Sequence, residues 1–206
     1  MRSLSDDVFG SSTLSVFISS RVHTLETERK AAAEAVERTG LATAWYWERD
    51  APAGFYEAEE ICLGYARNCD VLVLIMQDEL TDMTYKEYLA AFRNGKQCLI
   101  FIRQDGKLDN RAREFVRCAR EKGAVTRYFA NVSELESGII LSLKFVCVMA
   151  IREQNRFNKY DRGKAKPQRR KRARQQSLVN PGSDESGPLK IAEASGCEQQ
   201  HAWRYL

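Results

Sequence analysis

The sequence has little histidine and no paired cysteine motif. Only His23 and His201 are histidines among the 206 residues, which leaves a His-based catalytic triad or a Cys/His zinc cluster without enough ligands. The six cysteines are scattered and form no CxxC pair, a pattern typical of reduced thiols and not of a disulfide framework. We therefore predict a cytoplasmic protein with no resident metal.

Long apolar runs are also missing. No run approaches the roughly 20 residues of a spanning helix, and the N-terminus lacks the basic and apolar regions of a signal peptide. The longest candidate, residues 139–151, is interrupted by Ser142 and Lys144, and we interpret it as a buried helix. The sequence thus predicts no transmembrane segment.

Positive charge is concentrated near the C-terminus. Residues 152–174 contain eleven Lys and Arg against two acidic residues, although the whole chain carries a net charge of only +4. From residue 157 onward the composition predicts a largely disordered basic tail. Its densest part, residues 164–174, can contact nucleic acid non-specifically through phosphates. We expect a flexible N-terminus at residues 1–12, one folded domain at residues 13–156 and the tail at residues 157–206.

The folded part alternates between strand and helix signals. The run VLVLIM at residues 71–76 is apolar throughout and rich in β-branched residues, which is typical of a central parallel strand buried on both faces. Five such alternations predict an α/β fold, a flavodoxin-like doubly wound five-stranded parallel sheet of order 2-1-3-4-5. The predicted strands lie at residues 13–18, 41–47, 70–76, 98–102 and 124–129, and the predicted helices at residues 24–40, 57–68, 84–95, 110–122 and 133–156. Thr24 is the predicted N-cap of the first helix, and Ser133 with Glu136 fits a capping box for the last.

This strand order brings two loops together. In a doubly wound sheet, ligands bind at the carboxyl edge where the strand order reverses, here between the first and third strands. We therefore expect residues 19–21 and residues 77–87 to border one crevice.

Four short segments, taken in order, resemble a known family. They are VFISS at residues 16–20, ERKAA at residues 28–32, NCDVLVL at residues 68–74 and YKEY at residues 85–88. Together they resemble the domain of unknown function 4062, a TIR-like domain that is also similar to nucleoside 2-deoxyribosyltransferases.

The resemblance implies a flavodoxin-like fold, found in signalling or bacterial defence proteins and often attached to NTPase modules. Its enzymatic relatives cleave N-glycosidic bonds of NAD or nucleosides with a glutamate, and Glu87 matches that glutamate. The related transferases also carry a Gly-rich loop with an aspartate just before it. Here residues 77–83 contain no glycine, and Asp78 and Asp82 are the candidates for the aspartate. Because no GxxxxGK[ST] motif occurs, we expect a free-standing domain or one component of an assembly.

The candidate site combines one catalytic residue with a set of substrate-binding residues. Glu87 would stabilise or attack the oxocarbenium-like centre of a substrate such as NAD or a nucleotide, and we expect it to stay ionised in the first turn of a helix. Hydroxyl, cationic and aromatic side chains would bind phosphate, ribose or base. The predicted substrate-binding residues are Ser19, Ser20, Arg21, Trp47, Tyr56, Asp78, Asp82, Thr84 and Tyr85.

Each of these features has a structural alternative. Thr84-x-x-Glu87 is itself a capping box, in which Glu87 would return a hydrogen bond to the Thr84 amide. Asp78, Glu79 and Asp82 resemble ligands for a divalent cation, but three acids in a loop are usually solvated. The whole domain could also be a catalytically inactive interaction module, since a fold does not imply an activity. Self-association or a protein partner fits that alternative.

Overall fold

A computed structural model of the chain describes residues 13–54 and 57–164. The predicted flexible N-terminus at residues 1–12 and the part of the predicted basic tail beyond residue 164 lie outside the described residues, as do Phe55 and Tyr56. The described strands are β1 (Leu14–Ser20), β2 (Ala42–Trp45), β3 (Val71–Met76), β4 (Gln97–Arg103) and β5 (Thr126–Phe129). The described helices are α1 (Glu26–Arg38), α2 (Trp47–Asp50), α3 (Ala58–Asn68), α4 (Asp82–Arg93), α5 (Asn110–Glu121) and α6 (Val132–Lys164).

The five strands form one parallel sheet in the order β2-β1-β3-β4-β5. This confirms the predicted flavodoxin-like topology. All six residues of β3 are buried, as expected for an interior strand with helices on both faces. The order reverses between β1 and β3, where Ser19 lies beside Leu74 and Ser20 beside Ile75. The carboxyl ends of these two strands therefore meet at the switch point.

Two separate apolar cores cover the two faces of the sheet. On the face that we call the α1 face, α1 and the first turns of α6 pack over the sheet residues Val16, Ile18, Val71, Val73, Ile75, Phe101 and Phe129. On the opposite face, the α4 face, α3, α4 and α5 pack over Phe17, Leu72, Leu74, Met76, Ile100 and Ile102. Successive strand residues alternate between the faces, so that Ser19 follows Phe17 onto the α4 face and Ser20 follows Ile18 onto the α1 face.

Two predicted helix caps are wrong. We predicted Thr24 as the N-cap of the first helix, but α1 begins at Glu26 after Leu25, without a side-chain cap. We predicted a capping box of Ser133 and Glu136 for the last helix. Instead, the Asn131 side chain accepts a hydrogen bond from the Glu134 amide at 3.0 Å. The capping box of the last helix therefore lies two residues earlier than predicted, because Glu134 in turn accepts a hydrogen bond from the Ala130 amide at 2.8 Å.

The second strand and the last helix also differ from their predicted lengths. β2 ends at Trp45, two residues before the predicted end, because Trp47 begins the short helix α2. The last helix extends to Lys164, beyond the predicted end at residue 156. The chain divides into two compact units, Met1–Met149 and Ala150–Leu206, and the described part of the second unit is the end of α6. No described helix is long and apolar enough to cross a membrane.

Candidate functional site

The segment between β3 and α4 sets the position of the candidate glutamate. α4 begins at Asp82, and its N-cap is Thr81, whose hydroxyl accepts a hydrogen bond from the Thr84 amide at 3.2 Å. The helix thus starts two residues before its predicted start at residue 84, and the alternative in which Thr84 and Glu87 form a capping box is wrong. Glu87 lies in the second turn of α4, where its side chain is free to contact another element.

That other element is the end of β1. The Ser19 hydroxyl donates a hydrogen bond to Glu87 Oε2 at 2.5 Å. Both residues are buried, with 2% of Ser19 and 5% of Glu87 exposed. The two residues are 68 positions apart in sequence, and the switch point brings them together as the strand order predicted.

Burial leaves the Glu87 carboxyl poorly compensated. Among the described residues it forms no ion pair, and its neighbours are the Ser19 hydroxyl and the Cys62 thiol of α3. Loss of hydration raises the pKa of Glu87 from 4.5 to about 7, although the hydrogen bonds from Ser19 and Cys62 and the charge of Arg29 act in the opposite direction. The predicted first-turn position of Glu87 is therefore wrong, because α4 begins at Asp82 and places Glu87 in its second turn.

The pKa of the neighbouring Cys62 thiol is also raised. Burial, followed by the nearby Glu87 charge, raises the pKa of Cys62 to about 12. Cys62 therefore stays a neutral thiol at physiological pH and acts as a weak donor to the carboxylate. Ser19, Cys62 and Glu87 form a small polar cluster enclosed by the apolar residues of the α4 face, and we call it the Glu87 cluster.

A second buried polar cluster lies on the α1 face. Arg29 is 1% exposed, and its guanidinium donates to the Ser20 hydroxyl and the Arg21 carbonyl, both at 2.6 Å, and also to the Val22 carbonyl. It forms a two-pronged ion pair with the Glu48 carboxylate of α2. We call this the Arg29 cluster; it fixes the loop that leaves β1.

A narrow crevice separates the β1–α1 loop from the β3–α4 loop. Its volume is about 10 Å³, and it is lined by Arg21, Thr24, Gln77, Asp78, Glu79 and Thr84 among others. The Arg21 guanidinium and the Glu79 carboxylate form an ion pair of 3.0 Å across it. Glu87 lies on α4 one turn beyond Thr84, and is not part of the lining. The switch point thus holds a closed crevice next to the Glu87 cluster.

The predicted substrate-binding residues fall into three places. Arg21, Asp78 and Thr84 line the crevice, Ser19 contacts Glu87, and Ser20 belongs to the Arg29 cluster. The others are placed apart from the crevice or outside the described residues.

Those remaining residues each have a different setting. Trp47 begins α2 and packs on the apolar core of the α4 face. Asp82 is exposed and pairs with Arg111 at 2.5 Å, while Tyr85 lines a groove between α4 and α5. Tyr56 lies outside the described residues.

The acidic loop that suggested a cation site is largely neutralised by arginine. Glu79 pairs with Arg21 and Asp82 with Arg111. Within residues 13–54 and 57–164, no three His, Cys, Asp or Glu side chains converge in a way that would hold a metal ion.

The groove between α4 and α5 is the larger cavity, with a volume of about 270 Å³. Its walls are aromatic, and Phe115 packs edge-on against both Tyr85 and Tyr88. It is separate from the crevice and contains none of the Glu87 cluster.

Sequence reasoning assigned no site role to Arg29 or Cys62. A usable signal existed for Arg29, because it occupies the apolar stripe of α1 that Leu25, Ala32 and Val36 define at spacings of three to four residues. A charged residue in such a stripe indicates a buried ion pair. Cys62 has no comparable signal, since a cysteine on an apolar helix face is typical of an ordinary core.

The family model of the domain of unknown function DUF4062 matches residues 15–144 of this chain. The match covers more than half of the sequence, and it includes the Glu87 cluster, the Arg29 cluster and the crevice. The chain therefore belongs to the DUF4062 family, as its short motifs indicated.

Two solved structures are similar to the chain at low identity. The CMP N-glycosidase BcmB of Clostridium botulinum is 13% identical, with a TM-score of 0.47 over 62% of this chain and 98% of that chain. The Flv1 flavodiiron core from Synechocystis sp. PCC6803 is 14% identical, with a TM-score of 0.43 over 66% of this chain and 37% of that chain. At these values nothing about the chemistry of this chain follows from either likeness. No curated protein matches the chain.

Proposed function

We propose that this domain cleaves the N-glycosidic bond of a nucleotide-type substrate, NAD or a nucleoside or nucleotide, with Glu87 as its catalytic carboxylate. One observation carries the proposal: Glu87 is buried beside the switch point, where its main polar partner is the Ser19 hydroxyl. A buried carboxyl without a cationic partner destabilises a fold, and such groups concentrate at functional sites. The resemblance of the YKEY segment to the family's enzymatic relatives favours the same residue.

The reaction breaks the bond between C1′ of the ribose and the base nitrogen. The bonding electron pair leaves with the base, and positive charge develops on C1′ and the ring oxygen. An ionised Glu87 would stabilise that charge or form a covalent ester with C1′, and water would then supply the hydroxyl of the free ribose. Ser19 would hold the carboxylate in one orientation through its hydrogen bond.

The raised pKa of Glu87 predicts how activity depends on pH. Nicotinamide leaves NAD as a neutral molecule without needing a proton, so the cleavage of NAD needs only the ionised carboxylate. Because the pKa of Glu87 lies at about 7, NAD cleavage should rise as the pH increases through this value. A base that leaves as an anion would instead need a proton donor, which the protonated Glu87 could provide below the same pH.

A direct test is incubation with NAD and with deoxynucleosides at high protein concentration. We expect the release of nicotinamide or free base by the natural chain and none by Glu87→Gln, which keeps the shape and hydrogen-bonding capacity of the side chain. Glu60→Gln, at an exposed position on α3, is the matched control and should cleave as the natural chain does. Unchanged turnover in Glu87→Gln would exclude the catalytic role.

A second candidate function is a catalytically inactive interaction module in a signalling or defence assembly. The small volume of the crevice, about 10 Å³, favours this reading, because a nucleotide needs far more space. It predicts no release of base under any condition, together with self-association or the binding of a protein partner. Sedimentation velocity over a range of concentrations distinguishes a self-associating chain from a monomer.

The basic run at residues 164–174 adds a further proposed contact. Its lysines and arginines would neutralise phosphates of nucleic acid without reading sequence, so its affinity should fall steeply as salt increases. Binding to a random duplex that survives high salt would contradict this interpretation.

A further inference from the structure

The ion pair between Arg21 and Glu79 joins the two loops that border the crevice. Arg21 belongs to the β1–α1 loop and Glu79 to the β3–α4 loop, and their charged atoms are 3.0 Å apart. Both side chains are accessible to solvent, at 39% and 43% exposure. The pair therefore closes the crevice from the outside, where a ligand would approach.

Hydrogen bonds from Arg29 fix the backbone of the loop that carries Arg21. The Arg29 guanidinium binds the Ser20 hydroxyl and the backbone carbonyls of Arg21 and Val22. Because the backbone of Arg21 is fixed, its exposed side chain is the part that can change partner.

The segment between β4 and α5 fixes the backbone of the loop that carries Glu79. The Asp109 amide donates to the Asp78 carbonyl at 2.8 Å. Gly106 packs so closely on this loop that an added Cβ would lie 2.0 Å from the Gln77 carbonyl oxygen. These contacts fix the backbone up to Asp78, so Glu79 can leave Arg21 by side-chain rotation without a change in the fold.

The closed crevice is only about 10 Å³ in volume, which is about the space of one water molecule. Any ligand that reaches Thr84 and the Glu87 cluster through this crevice must first separate Arg21 from Glu79. An anionic group on the ligand can do so by replacing the Glu79 carboxylate on the guanidinium, because phosphate and carboxylate bind arginine in the same two-pronged manner.

We propose that Arg21 is the phosphate-binding residue of the site, and that Glu79 occupies it as an intramolecular competitor until a phosphorylated nucleotide displaces it. This inference rests on the proposed function and adds a specificity to it. The site takes nucleotides in preference to nucleosides, because only a phosphate exchanges one ion pair for another. Glu79 sets the concentration at which the exchange occurs.

The competition makes opposite predictions for the two residues. Glu79→Gln removes the competing charge and should tighten the binding of AMP by about two- to fivefold, since that is the strength of an exposed ion pair. Arg21→Gln removes the phosphate ligand and should weaken AMP binding by about tenfold, the effect of losing a charge-assisted hydrogen bond. Adenosine has no phosphate to replace Glu79 on the guanidinium, so Arg21→Gln should not weaken the binding of adenosine.

The experiment measures the affinities of AMP, adenosine and inorganic phosphate for the full chain by titration calorimetry. Glu26→Gln is the matched control for Glu79→Gln: it removes the same charge from an exposed position in the first turn of α1 without a contact to Arg21. We expect Glu26→Gln to bind all three ligands as the natural chain does, and Glu79→Gln to bind AMP and phosphate more tightly.

The outcomes separate this inference from the proposed function. If phosphate binds more tightly to Glu79→Gln while no base is released from any substrate, the phosphate site holds and the proposed cleavage is wrong. If base is released in a Glu87-dependent manner but Glu79→Gln leaves the affinities for AMP and phosphate unchanged, the competition is wrong and the cleavage stands. Failure of all three ligands to bind overturns the inference as well.

Discussion

The two faces of the sheet bury charged residues in opposite ways. On the α1 face, Arg29 has a carboxylate partner, a hydroxyl and two backbone carbonyls around its guanidinium. On the α4 face, Glu87 has a serine hydroxyl and a thiol, and forms no ion pair within the part of the chain that the structure describes. Consecutive residues of β1, Ser19 and Ser20, contact the two charged side chains.

This difference separates a structural role from a candidate functional one. A buried charge with a full set of partners fixes the local fold, and Arg29 does this for the loop that begins at Arg21. A buried charge with few partners adds no comparable stability and has its pKa shifted. The two clusters are still coupled, because the charge of Arg29 lowers the pKa of Glu87.

The largest loss of unfolding free energy should follow from removing the well-paired charge of Arg29. Arg29→Met leaves Glu48 and the backbone carbonyls of Arg21 and Val22 without their donor, and breaking a largely buried ion pair in this way costs about 4 kcal/mol of unfolding free energy. Urea denaturation measures the loss. Glu48→Gln should lose less, because the Glu48 side chain is 25% exposed and glutamine still accepts the hydrogen bonds. An Arg29→Met variant as stable as the natural chain would contradict the structural role.

Removing the poorly paired charge should instead change how stability depends on pH. The pKa of Glu87 rises from 4.5 in the unfolded chain to about 7 in the folded chain, so the folded state binds the proton more tightly. The contribution of Glu87 to the free energy of unfolding is fully present below pH 4.5. It is lost as the pH rises through about 7, by about 3 kcal/mol in total.

Glu87→Gln should remove this fall. The natural chain and the variant should have similar unfolding free energies at pH 4.5, and the variant should be the more stable at pH 8. Thermal unfolding across this pH range measures the difference, and parallel curves for the two chains would contradict the burial of an ionisable carboxyl.

A smaller effect is expected from the hydroxyl that holds Glu87. Ser19→Ala removes a hydrogen bond to a charged group, which is worth about 2 kcal/mol. Its effect should be larger at pH 8, where Glu87 is ionised, than at pH 5, where it is protonated. The pKa of Glu87 should rise further, and any NAD cleavage should move to higher pH. Equal destabilisation at both pH values would show that the hydroxyl does not serve the carboxylate.

The smallest effect is expected from substitutions of Cys62. They should shift the pKa of Glu87, in a direction that depends on the residue introduced. Cys62→Ala removes a weak donor and should raise the pKa of Glu87, whereas Cys62→Ser supplies a stronger donor and should lower it. The pH midpoint of the stability curve reports both shifts. Movement in the same direction for both variants would indicate a packing effect only.

Much of the fold was predictable because its strands are continuous apolar runs. The apolar run at residues 71–76 predicted β3 as the central strand, and the alternation of strands with helices predicted the order of the strands. The meeting of Ser19 with the β3–α4 segment followed from the reversal of that order. Asn94 and Gly95 ended α4 as predicted, and Gly95 adopts a φ of +68°.

The details of the site depended on choices between similar local signals. Thr81 and Thr84 are equally good caps, and the reciprocal partner Glu87 favoured Thr84. The structure uses Thr81, because the contact of Glu87 with Ser19 takes that partner away. Pairing of arginines with acids across loops, as between Arg21 and Glu79, depends on side-chain geometry and leaves no local pattern in the sequence.

The most direct measurement is the titration of the Glu87 carboxyl by ¹³C NMR, assigned by comparison with the spectrum of Glu87→Gln. Burial raises the pKa of the Glu87 carboxyl to about 7 and therefore predicts a titration midpoint near that pH. A midpoint near 4.5 would contradict it, because Glu87 would then be an ordinary ionised side chain no less well compensated than Arg29.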